Sequence, residues 1–210
     1  MQKVIPAILT SDPEDLRAKL QLFKGESKWM HIDIMDGKFV PNISVSVRDL
    51  KEVAGDFRLE IHLMVQNPQA YLEDCKAVGA ARIIIHQEVA GDIEKALREM
   101  KAYGLQAGIA LNPATPADAI TRYANDVASV LAMAVNPGSQ GQEFMSSMLG
   151  KIMVMKKDFP HLLIGVDGGV GEANISQILQ AGAEYVVVGS KIFAAEDPRE
   201  AFRKLEEMIK

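Results

Sequence analysis

A chain of 210 residues, 48% hydrophobic and 24% charged, has ordinary globular composition and length for one large core or two small domains. Its net charge of -5 and scattered lysines and arginines create no basic field for a nucleic-acid backbone, which excludes nucleic acid as the expected partner. Cys75 is the one cysteine, so an intrachain disulfide is impossible; it reads as a small apolar residue packed under a helix around Tyr71 to Val78. Residues Met1 to Pro6 lack the apolar stretch of a secretory signal, and no apolar run approaches the ~20 residues of a membrane span. A cytoplasmic protein without membrane contact is expected.

Short β-rich apolar runs alternate with amphipathic helical patterns along the whole chain, and no linker or low-complexity segment interrupts them, which predicts one continuous domain over 1–210. The predicted strands are Val4 to Leu9, Trp29 to Met35, Leu59 to Val65, Arg82 to His86, Ala107 to Leu111, Ser129 to Val135, Leu162 to Val166 and Tyr185 to Gly189, each followed by a predicted helix. Asp12-Pro13, Asn67-Pro68, Thr115-Pro116 and Asp197-Pro198 place a capping residue before a proline at the first helical position. Eight such units predict an α/β chain closed into a (β/α)8 TIM barrel. An open doubly wound sheet would carry a glycine fingerprint after its first strand. Pro6-Ala7-Ile8-Leu9-Thr10-Ser11 has none, and no nucleotide or organic cofactor is expected.

In a barrel the C-terminal ends of the strands converge on one face. Strand alternation puts His31 and Asp33 of the second strand on the same inward face, the third strand adds His62, and the seventh ends in Asp167. Four inward polar groups near one barrel end resist explanation as packing. Two imidazoles and two carboxylates suit a borderline divalent cation, zinc first, with manganese, iron or cobalt as alternatives; magnesium or calcium would prefer oxygen throughout. Such an ion would also relieve the opposition between two carboxylates in a dry site. His86 closes the fourth strand, either bordering the site or satisfied within the core, and His161 falls in a surface loop.

Glycine-rich loops follow the last three strands: Asn136-Pro137-Gly138-Ser139-Gln140-Gly141-Gln142, Gly168-Gly169 and Gly189-Ser190. Backbone N–H groups in such loops bind phosphate without lysine or arginine, so a phosphorylated substrate is expected.

The segments His31 to Asn42 (HIDIMDGKFVPN), Ile61 to Val65 (IHLMV), Asn112 to Pro116 (NPATP), Met133 to Gly138 (MAVNPG), Val166 to Val170 (VDGGV) and Gly189 to Phe193 (GSKIF) run in order along almost the whole chain and together resemble ribulose-phosphate 3-epimerase. The resemblance implies that His31, Asp33, His62 and Asp167 bind the metal, and that Asp33 and Asp167 are the acid/base pair. It further implies that Gly168, Gly169, Gly189 and Ser190 contact phosphate; His62, Gly138, Ser139, Gln140 and Gly141 are expected beside them in contact with a small phosphorylated ketose. Met35, Met64 and Met133 would line the reacting centre, and the protein would be a homo-oligomer. The implied reaction inverts a carbon beside the carbonyl through an enediolate, ribulose 5-phosphate to xylulose 5-phosphate being the preferred case.

Three departures lie near this site. Ala7 stands where the family usually has a serine whose hydroxyl contacts substrate; Gly138-Ser139-Gln140-Gly141 replaces an aromatic residue and a glycine with polar groups; and Lys38 stands where histidine is frequent. The alternatives are therefore an epimerase of another pentulose or hexulose phosphate such as allulose 6-phosphate, another phosphosugar barrel enzyme, or a non-catalytic phosphosugar-binding relative. A Schiff-base aldolase would need an inward strand lysine, for which no strand offers a good candidate.

Overall fold

The computed structural model describes residues 2–55 and 57–209. Eight parallel strands, β1 (Val4–Ile8), β2 (Trp29–Met35), β3 (Arg58–Met64), β4 (Arg82–His86), β5 (Gln106–Leu111), β6 (Ser129–Met133), β7 (Leu163–Asp167) and β8 (Tyr185–Val188), close into a barrel in chain order, β8 pairing back onto β1. The predicted strands thus all form, with ends displaced by a residue or two.

The surrounding helices are α1 (Pro13–Phe23), α2 (Leu72–Ala77), α3 (Ile93–Ala102), α4 (Met148–Asp158), α5 (Ile175–Gln180), α6 (Ser190–Phe193) and α7 (Pro198–Glu207). Asp12 and Asp197 cap as expected, Asp12 Oδ1 accepting from Glu14 N–H at 2.9 Å and Asp197 Oδ1 from Arg199 N–H at 2.9 Å. The other two signals differ. Thr115 starts no α-helix: the segment after β5 is a 3-10 helix, Ala117–Tyr123, with Pro116 at its N-cap, and the Thr115 hydroxyl is donated to Glu88. Asn67 makes no side-chain cap bond, and Pro68–Tyr71 is a 3-10 turn leading into α2. After β2 only a 3-10 turn, Val47–Leu50, stands where an α-helix is predicted. Among the described residues no helix is long and apolar enough to cross a membrane.

Two apolar layers result from strand alternation. Ile32, Ile34, Ile61, Leu63, Ile83 and Ile85 face outward into the shell of helices. Inside the barrel a smaller cluster, including Ile5, Trp29, Ile84, Leu131 and Tyr185, fills the end away from the strand C-termini. Arg82 lies among these groups with its guanidinium 4.8 Å from the Trp29 ring and 5.0 Å from the Tyr185 ring. Gly165 makes room for that arrangement, since a Cβ there would meet the Tyr185 ring at 2.3 Å. The filled lower layer leaves the polar residues at the C-terminal end as the floor of a site.

Candidate active site

The register of β2 and β3 sets Asp33 beside His62, and alternation along β2 puts His31 on the same inward face as Asp33. Asp33 Oδ1 lies 3.2 Å from His31 Nε2 and 2.9 Å from His62 Nδ1. Asp167, the last residue of β7, brings its Oδ2 to 3.9 Å from the same His62 nitrogen. Each of the four residues offers one ligand atom, and these atoms lie within 4.8 Å of one another. The structure therefore brings together all four residues expected to hold a metal.

Their protonation is unequal. Burial alone would raise the Asp33 carboxyl, but the His31 charge and the hydrogen bonds from His31 and His62 hold it well below the usual carboxylate range. At Asp167 burial and the Asp33 charge outweigh the His31 charge and the Gly168 N–H and push the carboxyl up to about 7. Burial opposes charge on both imidazoles. It keeps His62 below the usual range, whereas Asp33 and Glu60, one on each ring nitrogen, raise His31 well above it. Two buried carboxylates that oppose each other's ionisation, with two imidazoles converging on them, fit a divalent cation, and the mixed nitrogen and oxygen donors fit zinc, manganese or iron.

Above this cluster is a cavity whose wall includes Asp33, Asp167 and all three glycine loops. Gly138, Ser139, Gln140, Gly141, Gly168, Gly169, Gly189 and Ser190 are all in it. The loop after β6 is braced from two sides: Gln142 Nε2 donates to Asn136 O at 2.7 Å, and Asn42 Nδ2 donates to Gly138 O at 2.6 Å. Gly169 has φ +64°, and a Cβ on it would meet Phe144 N at 2.2 Å, so this loop pair closes only with glycine there. The Gln140 carboxamide lies over Gly189, its Nε2 3.2 Å from where a Cβ would stand. Met35, Met64 and Met133 are buried and line the same cavity. His31 and His62 are fully buried beneath the wall rather than in it, so of the expected substrate contacts His62 is the one set back.

Ala7 also lines the cavity, next to His31 in the register of β1 and β2. The missing hydroxyl is not supplied by Thr10, whose Oγ1 instead accepts from Asp12 N–H at 3.2 Å. His161 is structural, with Nε2 3.1 Å from Ala124 O.

Behind the two imidazoles stand three more residues, of which the strand ends alone point to His86 and not to Glu60 or Glu88. Glu60 Oε1 lies 2.7 Å from His31 Nδ1, and His86 Nε2 lies 2.8 Å from His62 Nε2, with Glu88 Oε2 at 3.2 Å from the other His86 nitrogen. The signal for Glu60 is the alternation Glu60-Ile61-His62, which faces it inward as His31 is faced inward beside Asp33. Glu88 belongs to the loop after β4 and carries no periodic signal.

Sequence and fold comparisons agree with this geometry. The profile described as the ribulose-phosphate 3 epimerase family matches residues 3–193. The chain is 36% identical to the cytoplasmic isoform of ribulose-phosphate 3-epimerase from Oryza sativa subsp. japonica, over 99% of this chain and 94% of that protein. It is also 36% identical to the ribulose-phosphate 3-epimerase of Bacillus subtilis, over 98% of each. Among solved structures, a 3-hexulose-6-phosphate synthase superposes with TM-score 0.76 at 19% identity, covering 99% of this chain and 100% of the other. The orotidine 5'-monophosphate decarboxylase of Sulfolobus solfataricus superposes with TM-score 0.71 at 16% identity, covering 100% and 98%. At such identities these two share the barrel and nothing more specific.

Proposed function

Since the chain belongs to the ribulose-phosphate 3-epimerase family, we propose that it inverts the carbon beside the carbonyl of a ketose phosphate, ribulose 5-phosphate to xylulose 5-phosphate, with Asp33 and Asp167 as the acid/base pair. The observation that carries this reading is the pair of carboxylates on β2 and β7 meeting at one cavity from separate walls of the barrel. Asp33, held ionised, takes the proton from the carbon between carbonyl and hydroxyl, and an enediolate results. Asp167, on the other wall, returns a proton to the opposite face. The carbon is inverted, no electrons leave the substrate, and the reverse reaction exchanges the two roles.

His31, Asp33, His62 and Asp167 are the residues that would hold a divalent metal, zinc first. Such an ion supplies Lewis acidity, stabilising the negative charge that develops on the carbonyl and hydroxyl oxygens. The buried methionines exclude water around the reacting carbon, and the glycine loops present their backbone to the phosphate. The strands contain no lysine, which argues against Schiff-base aldol chemistry on this barrel.

Assaying ribulose 5-phosphate, allulose 6-phosphate and other ketose phosphates with zinc, manganese, iron and cobalt tests the proposal. Preferred turnover of ribulose 5-phosphate supports it; preferred turnover of a hexulose phosphate moves the substrate, a change for which Ala7 and Gln140 in the cavity wall would be responsible. Binding of every sugar without turnover would reject catalysis.

A further inference from the structure

Both imidazoles of the cluster are backed by a carboxylate, one directly and one through a second imidazole. Glu60 Oε2 receives Arg82 Nη1 at 2.7 Å and the Tyr185 hydroxyl at 3.1 Å, while Oε1 faces His31 Nδ1 at 2.7 Å. A carboxylate beside a guanidinium is an acceptor only, so His31 Nδ1 carries the hydrogen. Nε2, facing Asp33, is the nitrogen left to exchange its proton for a metal.

On the other side the same logic runs through three residues. Glu88 Oε1 accepts from Asn112 N–H at 2.9 Å and from the Thr115 hydroxyl, and its Oε2 faces His86 Nδ1 at 3.2 Å. His86 therefore donates from Nδ1 and, as a neutral ring, turns a lone pair on Nε2 toward His62 Nε2 at 2.8 Å. Two ring nitrogens at that distance share one hydrogen. His62 supplies it, so that Nδ1, the nitrogen aimed at Asp33 and Asp167, is the one whose hydrogen toward Asp33 a metal would displace.

We propose that Glu60 and the His86–Glu88 pair are positioning residues that fix the tautomers of His31 and His62, so that His31 Nε2 and His62 Nδ1 are the nitrogens presented to a divalent metal. The proposal rests on the metal-binding reading of the cluster. It assigns the relay a polarity that an isosteric change reverses. In Glu88→Gln the end that meets Asn112 N–H and Thr115 must remain oxygen, so the amide NH2 faces His86. His86 must then accept at Nδ1 and carry its hydrogen on Nε2, head-on to the hydrogen of His62, and His62 loses the tautomer that leaves Nδ1 free.

The test measures zinc affinity by competition with a chromogenic chelator, and reads the ring nitrogens of His31 and His62 by 15N NMR on zinc-loaded protein. Glu88→Gln and His86→Leu are expected to weaken zinc binding about 10- to 100-fold. His86→Gln, whose carbonyl can accept from His62 Nε2–H, should stay within roughly threefold of the parent. The parent should show hydrogen on His31 Nδ1 and on His62 Nε2. Because the parent spectrum needs no variant, it decides the tautomers even where a substitution unfolds the barrel. A parent that takes up no zinc would sink the metal reading. A parent that binds zinc with the opposite ring tautomers, or folded Glu88→Gln and His86→Leu variants with parental affinity, would overturn the positioning relay alone.

Discussion

Asp33 and Asp167 stand three strand steps apart around the barrel, yet their carboxylates reach the same His62 nitrogen, at 2.9 Å and 3.9 Å. Separate walls give them separate faces of whatever lies between them. In deuterated water, Asp33→Asn and Asp167→Asn are each expected to abolish epimerisation while retaining slow deuterium exchange into only the epimer whose proton faces the surviving carboxylate. Metal content must be matched, since each substitution also removes a proposed ligand. Exchange from the same face in both metal-loaded variants would contradict the two-base assignment.

Chelation should abolish turnover, and readdition of zinc or manganese should restore it. His31→Ala and His62→Ala are expected to lose metal and activity together, each losing at least tenfold in metal affinity. Full activity in protein shown by elemental analysis to be metal-free would reject the requirement.

If the glycine loops hold phosphate through their backbone, free ribulose should be a far poorer substrate than its 5-phosphate. Gly189→Ala places a methyl group 3.2 Å from Gln140 Nε2 in the cavity wall and should raise KM for the phosphorylated sugar more than it lowers kcat. Comparable kcat/KM for the two sugars would remove the phosphate site from these loops.

The buried Glu60–Arg82 pair makes a stability prediction. Glu60→Leu strands a fully buried guanidinium and is expected to cost about 3–5 kcal/mol in urea denaturation. Adding Arg82→Met to that variant should recover part of the loss, because the unpaired charge goes with it while His31 Nδ1 and the Tyr185 hydroxyl stay without their acceptor. No recovery would mean that those two donors and the lost Arg82 stacking on Trp29 and Tyr185 outweigh the charge.

Cys75 is fully buried in α2, and burial pushes its thiol up to about 12 from an ordinary value of 9.0. A group raised in the folded state contributes stability below its unfolded value, and that contribution is lost as pH rises from about 9 toward 12. Native protein should therefore resist thiol reagents at pH 8 and react at a rate set by unfolding. Immediate stoichiometric labelling would contradict this burial.

Much of the site is legible in the sequence. The period of two along a strand is a local property of the backbone, so His31 with Asp33, and His62 one strand later, could be assigned inward from their spacing. Punctuation by Asp12-Pro13 and Asp197-Pro198 was equally local, and both caps form. Thr115-Pro116 opens only a 3-10 helix, and the Thr115 side chain is turned to Glu88, a residue 27 positions away in the chain. Periodicity with the missing glycine fingerprint after the first strand therefore determines the eight strands and the barrel class, and alternation the inward faces of His31, Asp33 and His62. Only the tertiary structure decided which of them share a level, because the register between neighbouring strands depends on closure of the whole ring: it sets Asp33 beside His62, brings Asp167 up to both, and lets Glu88 reach from a loop to the back of His86.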